Sequence, residues 1–287
     1  MKIAFWSNSR EKGSVTTNMV CIAALISIAG AGRSILLENH YNYNSVADIL
    51  LPGEQVGRLK ESGRYYNKYG IEYVLKGLYS GKHGDVLLHE AAISLLYTSM
   101  YYLPQSYIVN KEVFNYEFNL VYKELFKVLN VFADFVFIDT ERNQNLSSNA
   151  ILTEADLIVV NLAQDKMALR EFFDNYSSIQ EKSVYLIGSY QPELLFNFRR
   201  ICYEYHISRD KIGVIPFNME LAGAMSEGRI LQFLNRNYEK ASGRENDYFM
   251  KNCKKSSIMI RKNLLNIRRQ QKELYQSSFV NSVNLEF

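Results

Sequence analysis

Apolar residues along this chain alternate between short unbroken runs and longer stretches where they recur every three or four positions. The first run, Ile3-Ala4-Phe5-Trp6, has the length of a buried strand. It gives way to a strongly apolar helix over about residues 17–29, which Gly30 and Gly32 close. Residues 33–40 form a second buried strand and residues 100–104 a shorter one. Over residues 111–132, Val113, Phe114, Phe118, Val121, Leu125, Val128, Leu129 and Phe132 share one helical face. Phe135-Val136-Phe137-Ile138 then runs as a strand into Asp139-Thr140. Further apolar runs at 154–162, 183–188 and 212–218, and a helix over 222–234, bring the count to about seven strand–helix units. Strands that are apolar along their whole length are covered on both faces. The pattern therefore predicts an α/β fold, a doubly wound, mostly parallel sheet with helices on both faces. Between residues 41 and 110 it says less, with Pro52-Gly53 and residues 80–84 punctuating helical stretches.

Composition narrows the class. A length of 287 residues with 47% apolar content suits one large domain with an extension. Cys21, Cys202 and Cys253 are far apart and no histidine pair stands at ligand spacing. This points away from a structural metal or a disulfide framework and towards a reducing compartment. Met1-Lys2 lead straight into the first strand. The longest apolar run, residues 19–31, is broken by Ser27 and Gly30 and is too short to span a bilayer. A cytoplasmic protein is expected.

Candidate chemistry gathers at the carboxyl ends of strands. The first strand is followed by Ser9-Arg10-Glu11-Lys12-Gly13-Ser14-Val15-Thr16-Thr17-Asn18, a short polar loop that opens a helix. Backbone N–H groups at a helix start point outward and carry partial positive charge, so a phosphate can settle on them. The second strand ends in Glu38 and His40. The strand over 135–140 ends in Asp139, a carboxylate placed to hold magnesium through water. In a doubly wound sheet these three stretches converge on one crevice.

Read in register, the loop resembles the variant phosphate loop of the MinD/ParA family of ATPases, K-G-G-x-G-K-T-T. Arg10 falls on the first lysine, Lys12 and Ser14 on the second and third glycines, Val15 on the invariant lysine, and Thr16-Thr17 on the threonines. Asp134 through Thr140 is similar to the family's Walker B segment, and residues 212–218 to its last strand, G-x-I-P-x-D. The resemblance covers residues 1 to about 234 in order and spacing. Within the family the chain looks most like the TadZ/CpaE-like branch of pilus-assembly and cell-pole positioning proteins, which tolerates altered phosphate loops.

The resemblance implies a P-loop NTPase fold that holds ATP or ADP with Mg2+. Lys12, Gly13, Ser14, Val15, Thr16 and Thr17 would cradle the phosphates, Pro216 and Phe217 would lie beside the base, and Thr16 and Asp139 would hold the metal. Arg10, Glu38 and His40 take the catalytic places. Arg10 stands for the lysine that reaches a partner's nucleotide across a homodimer, and Glu38 and His40 for two carboxylates that order the magnesium shell and the attacking water. A valine in the lysine place removes charge-assisted hydrogen bonds of roughly 1.5–3 kcal/mol, roughly ten- to a hundredfold in ATP affinity. The loss is larger where charge moves in the transition state. The implied function is an adenine-nucleotide-binding switch or scaffold with weak or absent hydrolysis, which dimerises and positions a pilus, secretion or polar assembly. A working ATPase for DNA partition or membrane patterning, with Arg10 as surrogate, stays open. So does a scaffold that binds no nucleotide.

Beyond residue 234 the charge distribution changes the picture. The formal net charge is only +3, but from Asn235 onward eleven Lys/Arg stand against five Asp/Glu. Residues 248–276 read as a helix with Lys251, Lys254, Lys255, Arg261, Lys262, Arg268, Arg269 and Lys272 and no acid between Met250 and Lys272. Met250, Cys253, Ile260, Leu264, Ile267 and Leu274 form its apolar stripe. Three readings stay open: packing on the body with a solvated basic face, docking on an anionic membrane surface or nucleic acid, and dimerisation. Residues 1–234 are expected to be a nucleotide-binding domain and 235–287 a basic helical tail, whose removal from residue 248 leaves the α/β body folded.

Overall fold

Eight short strands with almost entirely buried side chains build one sheet. In chain order they are β1 (Lys2–Trp6), β2 (Ser34–Asn39), β3 (Ile93–Ser94), β4 (Met100–Leu103), β5 (Phe135–Thr140), β6 (Leu157–Leu162), β7 (Ser183–Tyr190) and β8 (Ile212–Pro216). The computed structural model describes residues 1–40, 45–62, 69–96, 98–105, 110–142 and 145–283. The strand order is β3-β4-β2-β5-β1-β6-β7-β8, parallel throughout except for the antiparallel edge pair β3–β4. β1 lies between β5 and β6, so the connections diverge to either side of it and leave a crevice at its carboxyl end. The expected doubly wound α/β fold is the observed one.

Side chains along each strand alternate between two cores. Ile3 and Phe5 of β1 face a layer made by the helices Val15–Ile28, Val46–Leu50, Ile230–Tyr238 and Gly243–Val283. Ala4 and Trp6 face the opposite layer, which includes the helices Gly70–Tyr79, Gly84–Ala91, Lys111–Phe132 and Lys166–Asn175. The helix Lys111–Phe132 has the bounds its periodicity predicts, with Asn110 capping its start. The helix expected over 222–234 is two, Met219–Ser226 and Ile230–Tyr238, parted at Gly228. Gly228 has φ 65°, and a Cβ there would fall 1.9 Å from the Leu51 carbonyl oxygen, so a continuous helix with a side chain cannot pass. Residues 41–44, within the stretch the pattern left open, lie outside the described residues.

Of the three readings of the basic tail, the first half of the helix takes the first, packing on the body with a solvated basic face. The tail is one helix, Gly243–Val283, and its first half belongs to the core of the sheet. Phe249, Met250, Cys253, Ile260 and Leu264 are buried in the same cluster as β1 and the helix Val15–Ile28, with Ile267 packed at the margin. Leu274 lies beyond the residues whose side chains are described. The Ser256 hydroxyl accepts from the Val214 N–H and donates to the Val214 carbonyl, both at 2.9 Å, so it pairs backbone groups of the edge strand β8. The approach is close: a Cβ on Gly213 would lie 2.4 Å from Ser256 Oγ. A boundary at residue 234 therefore cuts through a shared core. The stripe is apolar because it covers the sheet, and the cations are the residues left outside.

Candidate functional site

The polar loop after β1 is more ordered than an open phosphate cradle. Arg10–Gly13 forms one helical turn, in which the N–H groups of Lys12 and Gly13 both donate to the Ser9 carbonyl at 3.1 and 2.8 Å. Ser14 follows in the left-handed region, φ 53° and ψ 39°, and the helix Val15–Ile28 starts after it without a side-chain cap. Of the amides from Lys12 to Thr17 proposed to wrap an anion, two are thus already engaged. Those in the first turn of the helix keep the outward direction that suits an anion. The loop is seated on β6 and β7. Ser7 donates to the Asn161 carbonyl at 2.7 Å, and Asn18 Nδ2 donates to the Gly13 carbonyl at 3.0 Å and to Asn161 Oδ1 at 2.8 Å. Gly188 is needed here, since a Cβ on it would lie 2.5 Å from the Gly13 carbonyl oxygen. Ser14 and Ser189 share a hydrogen bond of 2.8 Å.

Asp139 is the centre of the site. It ends β5, is fully buried, and accepts at Oδ2 from the Thr16 hydroxyl at 2.5 Å. His40 Nε2 lies 3.1 Å from the same oxygen. The Arg10 guanidinium stands 2.7 Å from Oδ1 as a charge contact; its aligned N–H groups go to the Thr140 carbonyl at 3.0 Å and to Thr16 Oγ1 at 3.3 Å. Burial alone would raise the Asp139 carboxyl, but the charges of Arg10 and His40 and the hydrogen bonds from His40 and Thr16 override it and hold the group well below the carboxylate range. Glu38, on the neighbouring β2, goes the other way. Burial raises it, only partly offset by His40 at 3.5 Å, the Tyr102 hydroxyl and the Val46 N–H at 2.9 Å. The carboxyls of two adjacent strands are thus shifted in opposite directions, Asp139 down and Glu38 up.

The structure brings Arg10, Thr16, Glu38, His40 and Asp139 into one cluster, as the strand ends suggest. Val15 is buried at 2% exposure in the core cluster, though it touches the cleft wall. Lys12 turns to Asp165 in an exposed pair at 2.8 Å and lines no part of the cleft. Pro216 ends β8 and Phe217 follows it, both outside the cleft lining, with Phe217 half exposed. Sequence reasoning missed Tyr102, Asn161 and Asn18. Asn161 carried a signal, a single amide in the otherwise apolar run Leu-Ile-Val-Val-Asn-Leu. Tyr102 carried none, because only the pairing of β4 with β2 brings it to Glu38.

Beside the cluster opens a cleft of about 1160 Å3 between the loop and residues 48–57, 141–142 and 222–228. Arg10 and Arg142 face Glu11, Asp48, Glu141 and Glu227 across it, so its lining is acidic on balance. The volume and the uncapped helix start fit a nucleotide. A magnesium ion coordinated directly by both Thr16 and Asp139 fits poorly. Its ligands belong about 2.0–2.1 Å away, and the Arg10 guanidinium already fills the space between these two side chains. Among the described residues there is no group of three or more His, Cys, Asp or Glu side chains arranged to hold a metal.

No family model and no curated protein sequence matches the chain. Solved structures share its fold. A ParA family ATPase from Chlorobium tepidum TLS aligns with TM-score 0.64 at 11% identity, over 89% of this chain and 96% of that one. The septum site-determining protein MinD from Pyrococcus horikoshii, complexed with Mg-ADP, aligns with TM-score 0.62 at 12% identity, over 88% and 94%. A plasmid partition protein from Borrelia burgdorferi bound to AMPPNP aligns with TM-score 0.56 at 15% identity, over 94% and 99%. The chain has the fold of the ParA and MinD P-loop ATPases.

Proposed function

We propose that the protein is an adenine-nucleotide-binding switch or scaffold of the ParA/MinD type with little or no hydrolysis. The observation that carries this reading is the uncapped start of the helix Val15–Ile28, which opens beside Arg10 into a cleft of nucleotide size. Nucleotides bound to the Borrelia and Pyrococcus proteins support it. Here Ser14, Thr16 and Thr17 would meet the phosphates, with Arg10 as the nearest cation. Little catalysis is expected because no lysine stands at Val15, and His40 rather than a second carboxylate follows Glu38. As in the TadZ/CpaE-like branch it resembles, nucleotide-linked dimerisation would then position a larger assembly. Placing a lysine at Val15 tests the reading. Since Val15 borders the cleft, Val15→Lys is expected to raise ATP affinity roughly ten- to a hundredfold by calorimetry. An unchanged or absent heat of binding in a folded variant would contradict it. The acidic lining favours a second reading, a scaffold that takes no nucleotide, and the same titration separates the two.

The basic helix suggests the partner surface. Lys251, Lys255, Ile258, Lys262, Leu265, Arg269 and Lys272 recur at three and four on the side opposite the buried stripe, and all are exposed. Ile258 and Leu265 are 65% and 49% exposed among these cations. Apolar side chains between cations suit an anionic lipid surface, where each cation contributes about 1 kcal/mol, better than the phosphates of nucleic acid. No helix among the described residues is long and apolar enough to cross a membrane, so the association would be peripheral. Full-length protein is expected to sediment with anionic vesicles at low salt and to be released by high salt or by Ile258→Glu with Leu265→Glu. Failure to bind such vesicles at low salt, or equal binding to DNA by the double variant and the wild type, removes the lipid role.

A further inference from the structure

We infer that Arg10 is the resident cation of this site and keeps a divalent metal out. Thr16 and Asp139 are the two side chains expected to hold magnesium, and the guanidinium bridges them, 3.3 Å from Thr16 Oγ1 and 2.7 Å from Asp139 Oδ1. An ion bridging Thr16 Oγ1 and Asp139 Oδ1 would need the space that Nη2 occupies, and would add a double positive charge next to a single one. Asp139 Oδ1 accepts no hydrogen bond and has the guanidinium as a charge contact, while Oδ2 and the Thr16 hydroxyl are engaged. Asp139 Oδ2 has the Thr16 hydroxyl at 2.5 Å and His40 at 3.1 Å, and the Thr16 oxygen that a metal would need accepts from Arg10.

Arg10 is fixed in that place. Its side chain is 14% exposed, another of its nitrogens donates to the Thr140 carbonyl at 3.0 Å, and it starts a helical turn closed by two bonds to the Ser9 carbonyl. If it swung out, a fully buried carboxylate would lose the larger of its two charge partners, which an incoming ion would have to offset along with its own dehydration. The guanidinium is planar, always charged and suited to phosphate as well as carboxylate. A phosphate ligand entering the cleft is therefore met by a protein cation in place of a metal. That consequence, nucleotide binding without Mg2+, rests on the nucleotide reading above; the assignment of Arg10 as the cation does not.

The test of the assignment uses Mn2+ as a paramagnetic probe, with free ion followed by electron paramagnetic resonance during titration of full-length protein. The wild type is expected to leave the ion free. Arg10→Gln is expected to gain a site, and Arg10→Gln with Asp139→Asn to lose it again. Retention of Mn2+ by the wild type that Asp139→Asn abolishes overturns the assignment, as does a folded Arg10→Gln variant that takes up none. If Arg10→Gln does not fold, Arg10→Met, which keeps the apolar stem, replaces it, and the wild-type titration still decides. Calorimetry with ATP in EDTA and in excess Mg2+ tests the consequence, with the same affinity expected in both. Binding only with Mg2+ overturns it. No heat in either buffer sinks the nucleotide reading, and the Mn2+ titration still decides the role of Arg10 by itself.

Discussion

A chain ending at residue 247 is expected to be unfolded or insoluble. The cut removes Phe249, Met250, Cys253, Ile260 and Leu264 from the core. At about 1.5–3 kcal/mol for each of the four large side chains, Phe249, Met250, Ile260 and Leu264, the loss is roughly 6–12 kcal/mol. That is the order of the whole stability of a domain, about 5–15 kcal/mol. The underside of the helix Val15–Ile28 and the edge of β8 would also be uncovered, inviting aggregation. Circular dichroism and size-exclusion chromatography of the truncated chain check this. A folded monomer that melts cooperatively near the full-length temperature would show that the α/β body closes without the helix.

The second large effect is expected at Asp139. Asp139→Asn removes one partner of a buried ion pair and leaves the Arg10 guanidinium facing an amide, a change that costs about 3–5 kcal/mol in buried pairs. Arg10 reaches solvent at one edge, so the lower end, about 3 kcal/mol, is expected from denaturant unfolding at neutral pH. The pH dependence carries the same signature. The folded-state carboxyl lies below its unfolded value, so the unfolded chain takes up the proton first. The stabilisation is complete above the ordinary aspartate range, about pH 4, and drains away as the pH falls below it. Asp139→Asn should flatten that acid limb. Glu38 works in the opposite sense: its carboxyl is raised by burial, so its contribution weakens as the pH rises through the raised value. An acid limb as steep in Asp139→Asn as in the wild type would show that the Arg10–Asp139 pair does not stabilise the fold.

The sheet was legible because its strands are buried on both faces and so are apolar throughout, as in Phe135-Val136-Phe137-Ile138. Their carboxyl ends were legible because Glu38, His40 and Asp139 break such runs with polar groups. The stripe of the last helix was also visible in the spacing of Cys253, Ile260 and Ile267. What covers that stripe was not, because an apolar face reads the same whether it meets a sheet, a membrane or a second chain. The local form of the loop was hidden too. Nothing in Arg10-Glu11-Lys12-Gly13 announces a closed helical turn, and the pairing of Arg10 with Asp139 depends on strands far apart in sequence. The departures from a phosphate-loop pattern, Val15 and Ser14, were plain as letters. The structure adds their physical sense, a core side chain in one case and a serine held at positive φ in the other.

Whether the site holds an adenine nucleotide without cleaving it can be read from a single incubation. Full-length protein is mixed with radiolabelled ATP and retained on a filter, and the retained label is separated by chromatography. Label on the filter that is still ATP after long incubation is the expected result. A bare filter would rule out nucleotide binding, and retained label recovered as ADP and phosphate would make the protein a working ATPase.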